Sequence, residues 1–328
     1  MNILFVTGSN FGFFNSMLVG LQSFAERLPG QRLMVCDYGL SPPQAKFLRE
    51  LGQLLETPPT LPARDLFYCK AAQLRYLRHN RRAIEDYDAV VWVDADLTFM
   101  DVGIADFEAV IATMKSAPAR VAACAEPAGK SLGEIAALFA ETAGMAPFAR
   151  SIAAEHVDPS LPYFSSGLFF VDSVPFLERW DALTLAIERH PIFEQNMFNV
   201  ALYADRVPHV TLDCEEWQAQ GDSLDRVALR PSRQGPRAAA AIGEKNIKTL
   251  HATSPGPHHL LIAPCRLTVR ELELTGTFKL FLAERLRMHQ LELLASFIVT
   301  HGQALLRLGI CGRAASPSEG FQFVTLQQ

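Results

Sequence analysis

The stretch Asp88-Ala-Val-Val-Trp-Val-Asp-Ala-Asp-Leu-Thr-Phe99 constrains this chain most, because an unbroken apolar run ends in two carboxylates one residue apart. Ala89 to Val93 are apolar without alternation and β-branched at Val90, Val91 and Val93. Such a run reads as a strand covered on both faces, the habit of a mostly parallel sheet in an α/β protein. In an extended chain residues i and i+2 project to the same side, so Asp94 and Asp96 can face one hard divalent cation while Ala95 turns away. A second Asp-x-Asp, Asp86-Tyr-Asp88, precedes the strand and reads as a solvated turn. Open α/β sheets bind ligands beyond the carboxyl ends of their strands, where only the Asp94 and Asp96 pair falls.

With 328 residues, 49% hydrophobic and 20% charged, the chain suits one large α/β domain plus an appendage. Its net charge of −5 argues against a nucleic-acid binder, whose domains are usually strongly basic. Met1-Asn-Ile-Leu-Phe-Val-Thr-Gly8 lacks the basic start and long apolar middle of a signal peptide, and no run of about 18 apolar residues suggests a membrane span. Cys36, Cys69, Cys124, Cys214, Cys265 and Cys311 are scattered without a C-x-x-C pair, and read as buried, reduced thiols of a cytoplasmic protein.

Along the chain, Asn2 to Thr7 reads as a strand and Gly8 to Gly12 as the turn into a helix over Asn15 to Leu28; its G-x-x-x-G is not a dinucleotide fingerprint. Gln31 to Cys36 is a second strand, and Ser41 caps a helix from Pro42 to Leu54. Asp65 to Ile84 has helical spacing and carries Lys70 and Arg75. Arg120 to Ala125, Phe169 to Asp172, Val207 to Leu212 and Ile247 to His251 read as further strands, Glu126 to Pro162 as an insertion over the site, and Val174 to His190 as a helix, with another opening from Pro191 to Asn199. Leu229 to Gly243 reads as a mobile loop. Thr277 to Leu308 has a strong helical pattern, predicting one or two amphipathic helices that pack on the domain, on a second copy in a homodimer, or peripherally on the inner face of a membrane. Ser316 to Gln328 reads as a loose tail, so that 1–270 form the main domain and 271–328 a helical extension with that tail.

This order of elements resembles a GT-A glycosyltransferase, most nearly the retaining nucleotide-sugar transferases of glycosyltransferase family 8, over about Asn2 to His259. The resemblance implies a Rossmann-like, mostly parallel sheet flanked by helices. It implies that Asp94-Ala-Asp96 and His251 hold Mn²⁺, or Mg²⁺, against the diphosphate of a nucleotide sugar, UDP-linked by inheritance from the family. The chemistry of that trio stands independently. A divalent cation neutralises the charge left on a departing diphosphate, and an imidazole donor favours Mn²⁺. Tyr163-Phe-Ser-Ser-Gly-Leu-Phe-Phe-Val-Asp172 is similar to the family's Asn-Ser-Gly loop and strand, with Ser165, Ser166 and Gly167 at the sugar-contacting positions and Ser165 replacing Asn. Glu194-Gln195 with Asn199 resembles the family's Asp-Gln pair and downstream Asn. This implies that Glu194 orients the donor sugar and Gln195 stabilises developing oxocarbenium charge, with retention at the anomeric carbon. His251-Ala-Thr-Ser-Pro-Gly-Pro-His-His259 matches the family's His-x-x-Gly-x-x-Lys loosely, with Gly256 two places late and no Lys. The phosphate cation must then come from His258, His259, Lys70 or Arg75, and Lys70 fits best. Thr7 and Asn10 in the first loop and Asp37 after the second strand stand where the family holds base and ribose. The acceptor, a carbohydrate, lipid-linked glycan or protein, is not named by any of these residues.

Two other functions fit parts of the pattern. Val93-Asp-Ala-Asp-Leu-Thr98 resembles the haloacid-dehalogenase phosphatase motif, with Asp94 as nucleophile and Asp96 as acid/base beside Mg²⁺. That family places its nucleophile strand near the start of the domain, whereas here about 90 residues of α/β pattern come first. A non-catalytic nucleotide-sugar binder would use the same residues without turnover.

Overall fold

The run before Asp94 is a strand, Ala89–Val93, buried at every position as its lack of alternation requires. The computed structural model describes residues 1–62, 65–126, 129–138, 144–231, 238–253 and 259–326. Its first half comprises β1 (Ile3–Ser9), α1 (Phe14–Arg27), β2 (Leu33–Asp37), α2 (Pro42–Glu50), β3 (Leu54–Leu55), α3 (Leu66–Ala71), α4 (Gln73–His79), β4 (Ala89–Val93), β5 (Leu97–Phe99), α5 (Ile104–Ser116) and β6 (Val121–Ala125). There follow α6 (Leu132–Ala137), α7 (Ala146–Ala154), β7 (Phe164–Val171), α8 (Val174–Ala186), α9 (Phe193–Ala204), β8 (His209–Leu212) and α10 (Cys214–Trp217). The last part holds β9 (Ala228–Pro231), β10 (Ala238–Ile242), β11 (Lys245–Ile247), β12 (Thr249–His251), β13 (Leu260–Val269), β14 (Leu272–Phe281), α11 (Glu284–Arg307), β15 (Gly312–Arg313) and β16 (Phe321–Thr325). The chain forms two compact units, one of Met1–Gly8, Leu55–Val93 and Ala105–Cys214, the other of Ser9–Leu54, Asp94–Ile104 and Glu215–Gln328.

In the first unit β1 pairs parallel with β4, Ile3 beside Ala89, and β6 pairs parallel with β8. Strand β7 lies antiparallel to both β4 and β6. Strands β1, β4, β6 and β8 therefore point one way and β7 the other, the mostly parallel α/β sheet expected. Apolar rings hold α8 and α9 on it: Phe169 meets Trp180 at 5.5 Å and Phe198 at 5.1 Å, and Trp180 meets Phe198 edge-on at 5.2 Å. The single helix expected over Asp65 to Ile84 breaks at Ala72 into α3 and α4, with a 3₁₀ turn at Ile84–Asp86. Asp65 caps α3 by accepting the backbone N–H of Phe67 and Tyr68.

In the second unit α2 starts as its sequence predicts, with Pro in the first turn and the Ser41 N–H donating to Gln44 Oε1 at 2.9 Å. The C-terminal reading needs correction. Strands β13 and β14, ten residues each, form a hairpin with Leu260 beside Phe281, so the expected helix begins only at Glu284. The expected tail contains β16, which pairs with β13, and the expected loop over Leu229 to Gly243 contains β9 and β10, paired from Ala228 to Ala241, with 232–237 outside the described residues. Helix α11 buries Leu286, Leu291, Leu293, Leu294, Phe297 and Ile298 against its own unit, where Phe297 meets Phe47 at 6.0 Å. No described helix is long and apolar enough to cross a membrane.

All six cysteines are buried thiols, with no disulfide among the described residues. Burial pushes the Cys311 thiol up to about 12 and raises Cys265, while burial and then the Cys214 thiol raise Cys124. Because the thiolate is the nucleophile, the native protein is expected to react with a thiol-reactive disulfide at pH 8 on the order of a hundredfold more slowly than in urea. Six fast equivalents in the native protein would contradict this burial.

Candidate functional site

Asp94, Asp96 and His251 come together in the second unit, each offering a ligand atom within 4.8 Å of the others. Register explains the meeting. Strand β12 pairs antiparallel with β5, placing His251 opposite Leu97, the residue after Asp96, and the Ala252 N–H donates to the Asp96 carbonyl at 3.1 Å. His251 Nε2 lies 3.1 Å from Asp96 Oδ1 and 3.7 Å from Asp94 Oδ2. Its Nδ1 is 2.6 Å from the side-chain amide of buried Gln218. That amide serves either tautomer: its nitrogen donates to Nδ1 when Nε2–H faces Asp96, and with the amide reversed its oxygen accepts Nδ1–H and leaves the Nε2 lone pair for a cation. Two carboxylates and an imidazole so oriented fit a divalent cation.

A cation of the protein's own already meets this group. Lys279 Nζ lies 2.5 Å from Asp96 Oδ2 and 5.6 Å from the centre of the Phe13 ring. Burial raises the Asp96 pKa, but the charges of His251 and Lys279 and their hydrogen bonds outweigh it and hold the carboxyl well below the usual carboxylate range. Lys279 belongs to β14, not to the helix that the spacing predicts. The strand is fixed to α1, where the Lys279 N–H donates to Ser16 Oγ at 3.2 Å and a Cβ on Gly276, at φ 144°, would sit 2.7 Å from Asn15 Nδ2.

Helix α1 also carries the carboxylate loop. A Cβ on Gly20 would lie 3.1 Å from the Leu97 carbonyl and 3.4 Å from that of Ala95, and the Phe99 N–H donates to Ser23 Oγ at 3.0 Å. Gly20→Val is therefore expected to destabilise by about 1–3 kcal/mol by overpacking against backbone that cannot swing aside, and to weaken Mn²⁺ binding by shifting Asp94 and Asp96 together. Urea unfolding with Mn²⁺ titration checks both; unchanged values would show the contact to be slack.

The first unit holds a second polar cluster, built where α9 meets β7. Glu194 and Gln195 open α9 behind Ile192, a β-branched residue in the left-handed region at φ 49°. Glu194 is buried, its Oε1 accepting from Ser166 Oγ at 3.2 Å and lying 3.6 Å from Lys70 Nζ, while Trp180 Nε1 donates to its backbone carbonyl at 2.7 Å. Gln195 Oε1 accepts the Ser166 N–H at 3.0 Å, and its Nε2 donates to the Tyr163 hydroxyl at 3.2 Å and toward Glu126 at 3.5 Å. Burial pushes the Tyr163 hydroxyl well up, and it donates to Asn196 Oδ1 at 2.7 Å. Asn199 accepts the Phe164 N–H at 2.7 Å and returns a bond to its carbonyl at 2.8 Å, fastening α9 to β7. Ser165 Oγ accepts the Gly167 N–H at 3.2 Å within β7.

The remaining candidates have other partners or fall outside the described residues. Thr7 lies inside β1, buried, since the strand runs two residues further than expected. Asn10 Oδ1 accepts the Phe13 N–H, and Asp37 Oδ1 accepts the N–H groups of Gly39 and Leu40, so both shape turns in the second unit. Arg75 Nε lies 2.6 Å from Asp181, which also accepts from Tyr68. His259 meets Asp222 at 3.2 Å, and Gly256 and His258 fall outside the described residues. The sequence reading missed Gln218, Lys279, Asn196 and Glu126. Glu126 alone carried a signal, as an acidic residue directly after the strand Val121–Ala125.

No family model matches this chain, and no curated protein matches it. Similar solved structures include the apo form of the bifunctional glycosyltransferase WbbM, at 11% identity over 67% of this chain with a TM-score of 0.44; this chain covers 40% of that one's length. They also include the galactosyltransferase LgtC with donor and acceptor sugar analogues, at 14% identity over 79% of this chain and 88% of that one, with a TM-score of 0.45. Apo mouse xyloside xylosyltransferase 1 is similar at 12% identity over 76% of this chain and 97% of that one, with a TM-score of 0.45.

Proposed function

We propose that this protein is a metal-dependent glycosyltransferase that moves a sugar from a nucleoside diphosphate sugar, UDP-linked, to a carbohydrate, lipid-linked glycan or protein acceptor, with retention. The observation that carries this reading is the Asp94, Asp96 and His251 group at the end of a buried strand, ligand atoms within 4.8 Å of one another and the histidine oriented by Gln218. Asp94, Asp96 and His251 would hold a divalent cation, which would supply Lewis-acid neutralisation of the departing diphosphate. Gln218 keeps the imidazole presented toward the carboxylates, and β5 and β12 keep the three ligands in register.

In the first unit Glu194 orients donor hydroxyls, with Lys70 and Ser166 fixing its carboxylate. Ser166 likewise aims the Gln195 amide, whose oxygen places partial negative charge where an oxocarbenium-like centre gains positive charge. In the second unit Asn10 and Asp37 take the base and ribose, and in the first Ser165, Gly167 and Asn199 shape the sugar position; Thr7, buried within β1, supports the strand.

The test is a thermal-shift screen of nucleotide sugars and nucleoside diphosphates with and without Mn²⁺. Stabilisation by a diphosphate that requires Mn²⁺ supports the reading. Stabilisation by phosphate analogues with Mg²⁺, plus turnover of simple phosphate esters, would replace it with the phosphatase. Product-linkage NMR decides retention, and an inverted linkage would remove the role given to Gln195.

A further inference from the structure

We propose that Lys279 is a tethered second cation of the metal centre: it shares Asp96 with the divalent ion and grips the diphosphate, a role delivered from the β13–β14 hairpin. This rests on the glycosyltransferase reading. The two oxygens of Asp96 are divided between partners, Oδ1 toward His251 at 3.1 Å and Oδ2 toward Lys279 at 2.5 Å. A cation taken by Asp94, His251 and Asp96 Oδ1 can therefore bind without displacing the ammonium from Oδ2, and one carboxylate is bracketed by two positive charges. An ammonium carries three N–H donors, and Asp96 takes one. The side chain is 16% exposed, so it is not sealed from solvent.

Charge balance gives the arrangement a purpose. Asp94 and Asp96 contribute −2 and Lys279 +1, so with a neutral imidazole the group carries −1 before a divalent ion arrives and +1 after it. A dianionic or trianionic diphosphate is then met by net positive charge, which two carboxylates and a divalent ion alone would not provide. The position is built. Gly276 allows β14 to approach Asn15, Ser16 accepts the Lys279 backbone N–H, and the Phe13 ring lies under the ammonium.

Two effects of opposite sign follow from removing this charge. In Lys279→Met, which keeps a straight chain of similar length, Mn²⁺ alone is expected to bind several-fold tighter, because a competing positive charge beside Asp96 is gone. UDP in saturating Mn²⁺ is expected to bind about tenfold or more weakly, the loss of a charge-assisted hydrogen bond, while UMP changes much less. Lys279→Gln provides a second uncharged variant should the Met variant fold poorly, and Lys279→Arg should keep near wild-type UDP affinity. Mn²⁺ binding is read by EPR of the free ion and nucleotide binding by calorimetry, both on the full chain. If wild-type protein binds UDP with Mn²⁺ and the uncharged variants bind it equally well, Lys279 is only a structural partner of Asp96 and the proposal is overturned. Weaker Mn²⁺ binding in both uncharged variants would overturn it as well. If the wild type itself binds no UDP, the glycosyltransferase reading fails and the proposal falls with it.

Discussion

Asp96→Ala is expected to abolish Mn²⁺-dependent stabilisation by a nucleoside diphosphate and, without any metal, to cost about 3–5 kcal/mol of folding stability. The second effect arises because the mutation removes a carboxylate that is 10% exposed and holds both Lys279, at 2.5 Å, and His251, at 3.1 Å. An ammonium placed for that partner would remain mostly out of water. The stabilising contribution follows the depressed Asp96 pKa. A carboxyl held lower in the folded than in the unfolded chain stabilises fully above the unfolded value, about 3.9, and loses that contribution as pH falls toward the folded value. The contribution of the Asp96 carboxylate to the difference between wild type and Asp96→Ala should therefore be fully present above about pH 4 and shrink only in strong acid. Asp96→Asn combined with Lys279→Met should regain much of the stability, since neither charge of the pair is then left buried without its partner, yet regain none of the Mn²⁺ response. Urea denaturation and thermal shift measure the two effects separately. A full Mn²⁺-dependent shift in Asp96→Ala would remove Asp96 from the metal centre.

The second large effect is expected at Glu194. Its carboxylate is buried 3.6 Å from a Lys70 ammonium that is also buried, so Glu194→Ala should destabilise by about 3–5 kcal/mol and abolish transfer. That variant alone cannot separate folding from chemistry. Glu194→Gln keeps the volume and the Ser166 hydrogen bond and loses only the charge, so it should fold with a smaller penalty while slowing transfer about a hundredfold. Single-turnover transfer with the donor identified by the screen gives the rate, and circular dichroism the fold. A folded Glu194→Gln protein with wild-type turnover would make the Lys70 and Glu194 pair a structural clasp.

Part of this was legible in the chain and part was not, for reasons that lie in particular residues. Strand β4 could be read because a segment covered on both faces needs no alternation, and its C-terminal carboxylates stood out against an apolar run. His251 could be placed beside them only through a family order, since nothing local shows that β12 pairs with β5. Lys279 was misread because Thr277 to Phe281 runs on into a true helix and short apolar runs fit either period. Arg75 was a plausible phosphate ligand until Asp181, over a hundred positions away, was seen to hold it. Gln218 carried no signal at all, being one polar residue among several in Cys214-Glu-Glu-Trp-Gln218.

By itself, then, the amino-acid order determined the mostly parallel α/β class, the buried strand and the pair of carboxylates that leave it, because side-chain period and burial are local properties of a chain. Tertiary structure alone decided which cation meets Asp96, which amide orients His251, and that Glu194 faces Lys70. Those choices depend on strand register and helix docking between segments far apart in the chain, and a partner set by register leaves no local mark in either segment.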